Sequence, residues 1–171
     1  MADENKMREL VLDKLVINIG TGSDENTQAH AKRLLEIITN RKPADAVSKK
    51  RNPAFKVSKG QKIGAFVTIR GQDIKPLASR LIDAVDNRLK ETAVADNSVS
   101  FGIHEYIDIS GVKYDPKIGM LGMNVNLAFK RRGTRVALRK RMRATIPKKH
   151  RIVERDRIKD YMTKEFKVKF V

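Results

Sequence analysis

An α+β domain, built on a mostly antiparallel sheet with helices packed on one face, is the fold this sequence predicts. Three observations carry that prediction. Apolar residues alternate strictly in several short runs, most clearly at Ile63, Ala65, Val67 and Ile69, and a period of two marks a strand with one buried face. Other stretches space their apolar residues helically, as Leu77, Leu81, Val85 and Leu89 do. Finally, 171 residues, 40% of them hydrophobic, suffice for one domain with a core of its own.

In chain order, Leu15-Val16-Ile17-Asn18-Ile19 reads as a strand that ends at Gly20-Thr21-Gly22. Ser23 is placed to cap a helix whose first turn holds Asp24 and Glu25, the charge sign that suits a helix start. Ala31, Leu34, Leu35 and Ile38 keep helical spacing, and Asn40 with Pro43 closes the element. Residues 44–51 read as a basic strand and 52–60 as a loop. The strand at 63–70 follows, then a helix from Asp73 and a linker over 92–100. A strand from Phe101 to Ile109 puts Phe101, Ile103, Ile107 and Ile109 on one face and His104, Tyr106 and Asp108 on the other. After a turn-rich loop, Met123, Val125, Leu127 and Phe129 alternate with Asn124, Asn126 and Lys130. A basic arm and a helix around Glu154–Phe166, with Ile158, Tyr161 and Met162 on one side, complete the chain. The expected division is an α+β domain over 1–129, with the basic arm and terminal helix of 130–171 packed on it or extending from it.

Set in one sheet, these strands differ between their faces. The aliphatic face must pack against helices, because apolar area stabilises the fold only when removed from water. The other face gathers Asn18, Phe66, Thr68, Arg70, His104, Tyr106, Asn124, Asn126 and Lys130. Amide, hydroxyl, guanidinium and aromatic groups on an open sheet suit RNA, which is read by stacking and by hydrogen bonds to bases and 2′-hydroxyls. A merely solvated face fits the same alternation, and charge tips the balance.

The chain carries a net +17, and that excess is concentrated. Residues 41–70 sum to +8 and 130–171 to +13, whereas 1–40 and 71–129 are each −2. Between Lys130 and Arg151 stand eleven Lys or Arg residues, seven of them Arg, without one Asp or Glu. Such a run repels itself unless a polyanion neutralises it, and the arginine fork matches phosphate bidentately. The arm's cations, Arg131, Arg132, Arg135, Arg139, Lys140, Arg141, Arg143, Lys148, Lys149 and Arg151, are therefore candidate contacts to RNA phosphates. Anionic membrane also attracts such runs, but the arm's apolar side chains are scattered and form no amphipathic face.

Other chemistries find little support. There is no Cys, which excludes disulfides and thiolate metal sites. His30, His104 and His150 lie far apart, and His104 and Glu105 as strand neighbours point to opposite faces, so no metal site is expected. Gly20-Thr21-Gly22 lacks the third glycine of a dinucleotide fingerprint, and Asp24 and Glu25 would repel a pyrophosphate there. No nucleophile motif or catalytic pair stands out. With no signal-like amino terminus and no apolar run near the roughly 20 residues of a membrane span, a soluble protein of the cell interior is expected. A nucleotide-using enzyme around Gly20-Thr21-Gly22 and a non-specific, chromatin-like nucleic-acid binder are the rival readings.

Several segments resemble one family. Leu15-Val16-Ile17-Asn18-Ile19-Gly20, Lys42-Pro43, Ile63 to Gly71, Phe101-Gly102-Ile103-His104-Glu105 and Tyr114-Asp115-Pro116-Lys117-Ile118-Gly119 resemble, in that order, the universal large-subunit ribosomal protein L-five family. The runs Arg135 to Arg141 and Ile146 to Arg151 resemble its archaeal and eukaryotic branch. The resemblance implies a non-enzymatic ribosomal protein without a cofactor, which attaches 5S rRNA in the central protuberance. It implies 5S contacts at Asn18, Arg41 (where the family usually has Gln), Phe55 and Thr68, with Lys42, Lys49 and Arg70 beside them. It further implies that the loop from Lys50 to Lys62 approaches P-site tRNA through Arg51, Lys56 and Lys59. The other partners it implies are large-subunit rRNA, small-subunit protein thirteen and the neighbouring 5S-binding ribosomal proteins.

Overall fold

The computed structural model describes residues 6–171. Its centre is β1 (Leu10–Gly20), the longest strand, which pairs antiparallel with β3 (Lys62–Ile69) on one side and β7 (Met123–Arg131) on the other. Outward from these lie β2 (Ala44–Val47), beyond β3, and β6 (Ser98–Ile103) with the two-residue β5 (Val94–Ala95), beyond β7. The six-stranded order is β2-β3-β1-β7-β6-β5, antiparallel at every pairing.

One face of this sheet is closed by α1 (Glu25–Thr39), α2 (Ile74–Asp83) and α4 (Arg155–Phe166). Leu15, Ile17, Ile19, Ala65, Val67, Ile69, Val125, Leu127 and Phe129 point into it and are buried with Leu34, Leu35, Leu81, Ile82, Ile158 and Met162 in a single cluster. Each such Leu or Ile stabilises the fold by about 1.5–3 kcal/mol relative to exposure. The alternation predicted for β1, β3 and β7 is thus realised residue by residue.

At its start α1 is capped by Asp24 rather than the predicted Ser23. The Asp24 carboxylate accepts hydrogen bonds from the Asn26 N–H and the Thr27 hydroxyl, and these hold its pKa below the ordinary carboxylate value. An anion stabilises a helix start more than a hydroxyl does, because it also meets the positive end of the dipole. At the other end Asn40 takes the left-handed conformation (φ 51°) and donates its N–H to the Glu36 carbonyl at 2.8 Å, closing the helix as predicted.

Three predicted elements end elsewhere. The basic strand is confined to Ala44–Val47. The second helix stops at Asp83, because Asp86 and Asn87 both turn to positive φ. Leu89 then joins the core from β4 (Arg88–Leu89), which pairs parallel with β8 (Lys169–Phe170). The strand expected over Phe101 to Ile109 instead begins at Ser98 and ends at Ile103, followed by one 3-10 turn over Tyr106–Asp108. That turn reverses the predicted facing. Tyr106 is fully buried, with its hydroxyl accepting from the Asp115 N–H at 3.0 Å, while Ile107 is exposed.

The terminal helix packs inside the same core. Its Tyr161 ring meets Phe129 edge-on at 5.7 Å. Asn97, in the left-handed conformation, accepts from the Val153 N–H through Oδ1 (2.6 Å) and from the Phe129 N–H through its carbonyl (2.7 Å). One residue thereby clamps β7 to the approach of α4.

Candidate nucleic-acid interface

The face of the sheet away from the helices carries no covering element among the described residues, and strand register sets its composition. Ala44, Phe66, Asn18, Asn124 and Gly102 lie in one cross-strand row, and Thr68, Val16, Asn126 and Ser100 in the next. Asn18, Phe66, Thr68 and Asn126 are half-buried and Asn124 is exposed. Among the described residues, no hydrogen bond satisfies the side chains of Asn18, Thr68, Asn124 or Asn126. Three amides and a hydroxyl are therefore open to an external partner.

Of the other residues expected on this face, Lys130 is on it but forms a 2.6 Å ion pair with Asp13, and Arg70 lies exposed just past β3. His104 is exposed but beyond the end of β6. Tyr106 is withdrawn into the core, which corrects its assignment to the reading face.

Arg41 and Lys42 sit in the connection from α1 to β2, both exposed. The Arg41 guanidinium is engaged by Asp73 at 2.5 Å, at the start of α2, so it leans toward the helix layer and away from the Asn18–Thr68 rows. Phe55 is 74% exposed in the loop between β2 and β3, not on the sheet. That loop is a closed structure. The Ser48 N–H donates to the Gln61 carbonyl, and Asn52 and Val57 exchange both backbone hydrogen bonds. Its tip, a 3-10 turn over Pro53–Phe55, is capped by the Asn52 side chain and followed by Lys56 in the left-handed conformation. Lys49, Arg51, Lys56 and Lys59 project from it, exposed and without an ion-pair partner among the described residues.

The arm leaves β7 and returns to the core at Val153. Its first two cations are enclosed or paired. Arg131 falls on the inner side of the β7 alternation and is half-buried, with its Nε enclosed and unbonded among the described residues. Arg132 pairs with Glu9 at 3.0 Å. Farther out, a turn over Thr134–Ala137 and a 2.8 Å hydrogen bond from Arg139 Nε to the Met142 carbonyl shape the tip. Arg135, Arg139, Lys140, Arg141, Arg143, Lys148, Lys149 and Arg151, the last three with His150 making up the short helix α3 (Lys148–Arg151), are all exposed. No acid lies within ion-pair distance of any of them among the described residues.

Acids of the body serve other cations. Asp45 on β2 takes Lys32 at 2.5 Å, Lys62 at 3.4 Å and the amide of buried Gln28 at 3.1 Å. The Lys32 hydrogen bond, aided by Lys62, holds its pKa below the ordinary carboxylate value. Elsewhere Lys75 pairs with Glu165 and Lys159 with Glu91. Nine cations of the folded body thus have an acid beside them, while those of the loop and outer arm have none among the described residues. Nor is there, among those residues, a cluster of His and acids that could hold a metal ion.

Ser100 and Gly102 belong to the open face but lay unread in the sequence, Ser100 because its stretch resembled a linker. The signal was present in the Val99, Phe101, Ile103 alternation, two residues ahead of where the strand was placed.

This geometry has counterparts among known proteins. The profile describing the C-terminus of the ribosomal L5 family matches residues 62–170. The large ribosomal subunit protein uL5 of Archaeoglobus fulgidus is 41% identical over 157 residues, covering 92% of this chain and 88% of that one. The uL5 proteins of Sulfurisphaera tokodaii (38% over 168 residues, 98% of this chain and 95% of the relative) and Cenarchaeum symbiosum (40% over 166 residues, 96% and 98%) are similar throughout. Likeness of this degree over nearly the whole length, with a profile match to well over half of it, means that the chain belongs to the ribosomal L5 family.

Proposed function

We propose that this chain seats 5S rRNA in the large ribosomal subunit, reading it with the open sheet face and neutralising its phosphates with the outer arm. Membership of its family makes it a structural constituent of the large subunit of the cytoplasmic ribosome, associated with rRNA, and not an enzyme. The finer reading is supported chiefly by one observation: unpartnered cations flank a sheet face whose amides and Thr68 hydroxyl are also unpartnered among the described residues. A solvated face needs no such set of side chains, whereas RNA recognition uses each of them.

In this reading Asn18 and Thr68 hydrogen-bond to 5S rRNA, with Lys42, Lys49 and Arg70 along its backbone. Arg41 reaches a phosphate by exchanging it for Asp73. Phe55, standing out from the loop, is placed to stack on an unpaired base rather than to join the sheet rows. Arg51, Lys56 and Lys59 of the same loop meet P-site tRNA, and large-subunit rRNA is a further partner of the chain. The site in the central protuberance, the bridge to small-subunit protein thirteen and contacts with neighbouring 5S-binding ribosomal proteins belong to the same proposal. A gel shift of the full chain with 5S rRNA, against excess tRNA at moderate salt, tests the core of it. Retention of the 5S complex is expected. Equal loss to tRNA competitor and to duplex DNA would favour a non-specific, chromatin-like binder instead.

A further inference from the structure

The open face is not uniformly flat. Between β1, β7 and β6 lies a depression of about 370 Å³ lined by Asn18, Ser100, Phe101, Gly102, Asn124 and Asn126. Register explains it. Gly102 stands opposite Asn124, which stands opposite Asn18, and Ser100 stands opposite Asn126. Gly102 forms the floor because it lacks a side chain. A Cβ there would meet the Asn124 Oδ1 at 3.5 Å, an ordinary contact, and its φ is not positive. Neither backbone strain nor crowding requires glycine at this position, so what its absence of a side chain provides is room.

The lining is entirely uncharged. Its amide and hydroxyl side chains have no partner among the described residues. A phosphate would find no cation here. A neutral, planar group with donors and acceptors on its edge would find three amides, each carrying both. Phe66, half-buried and opposite Asn18 in the same row, is a neighbouring aromatic side chain of the kind on which bases stack.

We infer that this depression receives one unpaired nucleobase of RNA, its edge read by the amides of Asn18, Asn124 and Asn126 above the Gly102 floor. The inference rests on the proposed reading of the face as an RNA surface, but it specifies single-stranded base recognition rather than backbone contact. Paired bases in an A-form helix hide the edges these amides would need.

The test uses the full chain, wild type and Gly102→Val, in which a β-branched side chain suited to a strand fills the depression. Both are titrated with labelled RNA heptamers of A, C or U, with a fully paired RNA duplex and with 5S rRNA, at one salt concentration, and their Tm values are compared. Wild type is expected to prefer at least one heptamer over the others. Gly102→Val should weaken that heptamer at least about fivefold, the lower end of one bidentate amide contact, with duplex binding unchanged. Should Gly102→Val lower Tm, Asn124→Ala, at an exposed position, replaces it with the same expectation. Equal heptamer affinities for wild type and variant at equal Tm, or equal losses for heptamer and duplex, would overturn the inference. The 5S arm separates the two claims. Strong 5S binding that neither variant weakens sinks the base site and leaves the proposed function standing. Absence of 5S binding by wild type sinks that function, while the heptamers still decide whether the depression takes a base.

Discussion

Thr68 is half-buried on the open face, opposite Val16 in the strand register, and its hydroxyl has no partner within the described residues. A β-branched residue suits that position sterically, so Thr68→Val keeps the strand and removes only the hydroxyl. The variant should bind 5S rRNA about 0.5–1.5 kcal/mol more weakly, the usual net contribution of one hydrogen bond, with stability unchanged. A filter-binding comparison at fixed salt measures it, and an unchanged Kd would remove Thr68 from the contact set. Single residues also show where local chemistry overrides pattern. At Tyr106 the alternation of the sequence favours the open face, yet the chain turns there and the ring is buried, because its hydroxyl can satisfy the otherwise orphaned Asp115 N–H. Alternation records which residues are apolar; it does not record where a strand stops.

Strand β2 is an edge strand of four residues, too short to hold itself by backbone pairing alone. Asp45 supplies the missing constraint by drawing Lys32 of α1, Lys62 of β3 and the Gln28 amide onto one carboxylate. Because its folded pKa is lowered, the stabilisation is present above the ordinary carboxylate pKa and disappears as pH falls through the lowered folded value. Asp45→Asn should therefore lower the urea midpoint at neutral pH and speed amide exchange in β2, and the two proteins should converge in acid. A midpoint difference that persists at low pH would mean that charge is not what pins the strand. Elements of this kind were legible in the sequence where periodicity was long and unbroken: β1, β3, β7 and α1 follow their predicted facing. The ends of β2, α2 and β6 were not, since left-handed residues such as Asp86 and Asn87 and tertiary hydrogen bonds end them. The basic segments were equally legible as charge, but their internal neutralisation was not. That Arg41, Lys130 and Arg132 already hold Asp73, Asp13 and Glu9 depends on distances no sequence displays.

For the molecule as a whole, which carries a net +17, the ion pairs of the described residues all fall in the body, and two projections carry cations with no acid beside them among those residues. The arm cannot be tested by excision. It connects β7 to α4, and α4 contributes Ile158, Met162 and Phe166 to the common core, so removing residues 130–151 would detach a structural helix and confound binding with folding. Neutralising the exposed tip avoids this. Lys140, Arg141 and Arg143 are solvent-facing and engage no acid among the described residues, so changing all three to Gln leaves the core untouched. Every cation withdrawn from a phosphate leaves condensed counterions on the RNA, which lowers the magnitude of the slope of log K against log salt by roughly 0.7–0.9 per charge. The triple variant should thus show a slope shallower by about two units for 5S or large-subunit rRNA alike, with Tm unchanged and with base preference at the sheet retained. An unaltered slope would show that the arm's charge faces away from the RNA, and phosphate neutralisation would then fall to the loop carrying Lys49, Arg51, Lys56 and Lys59.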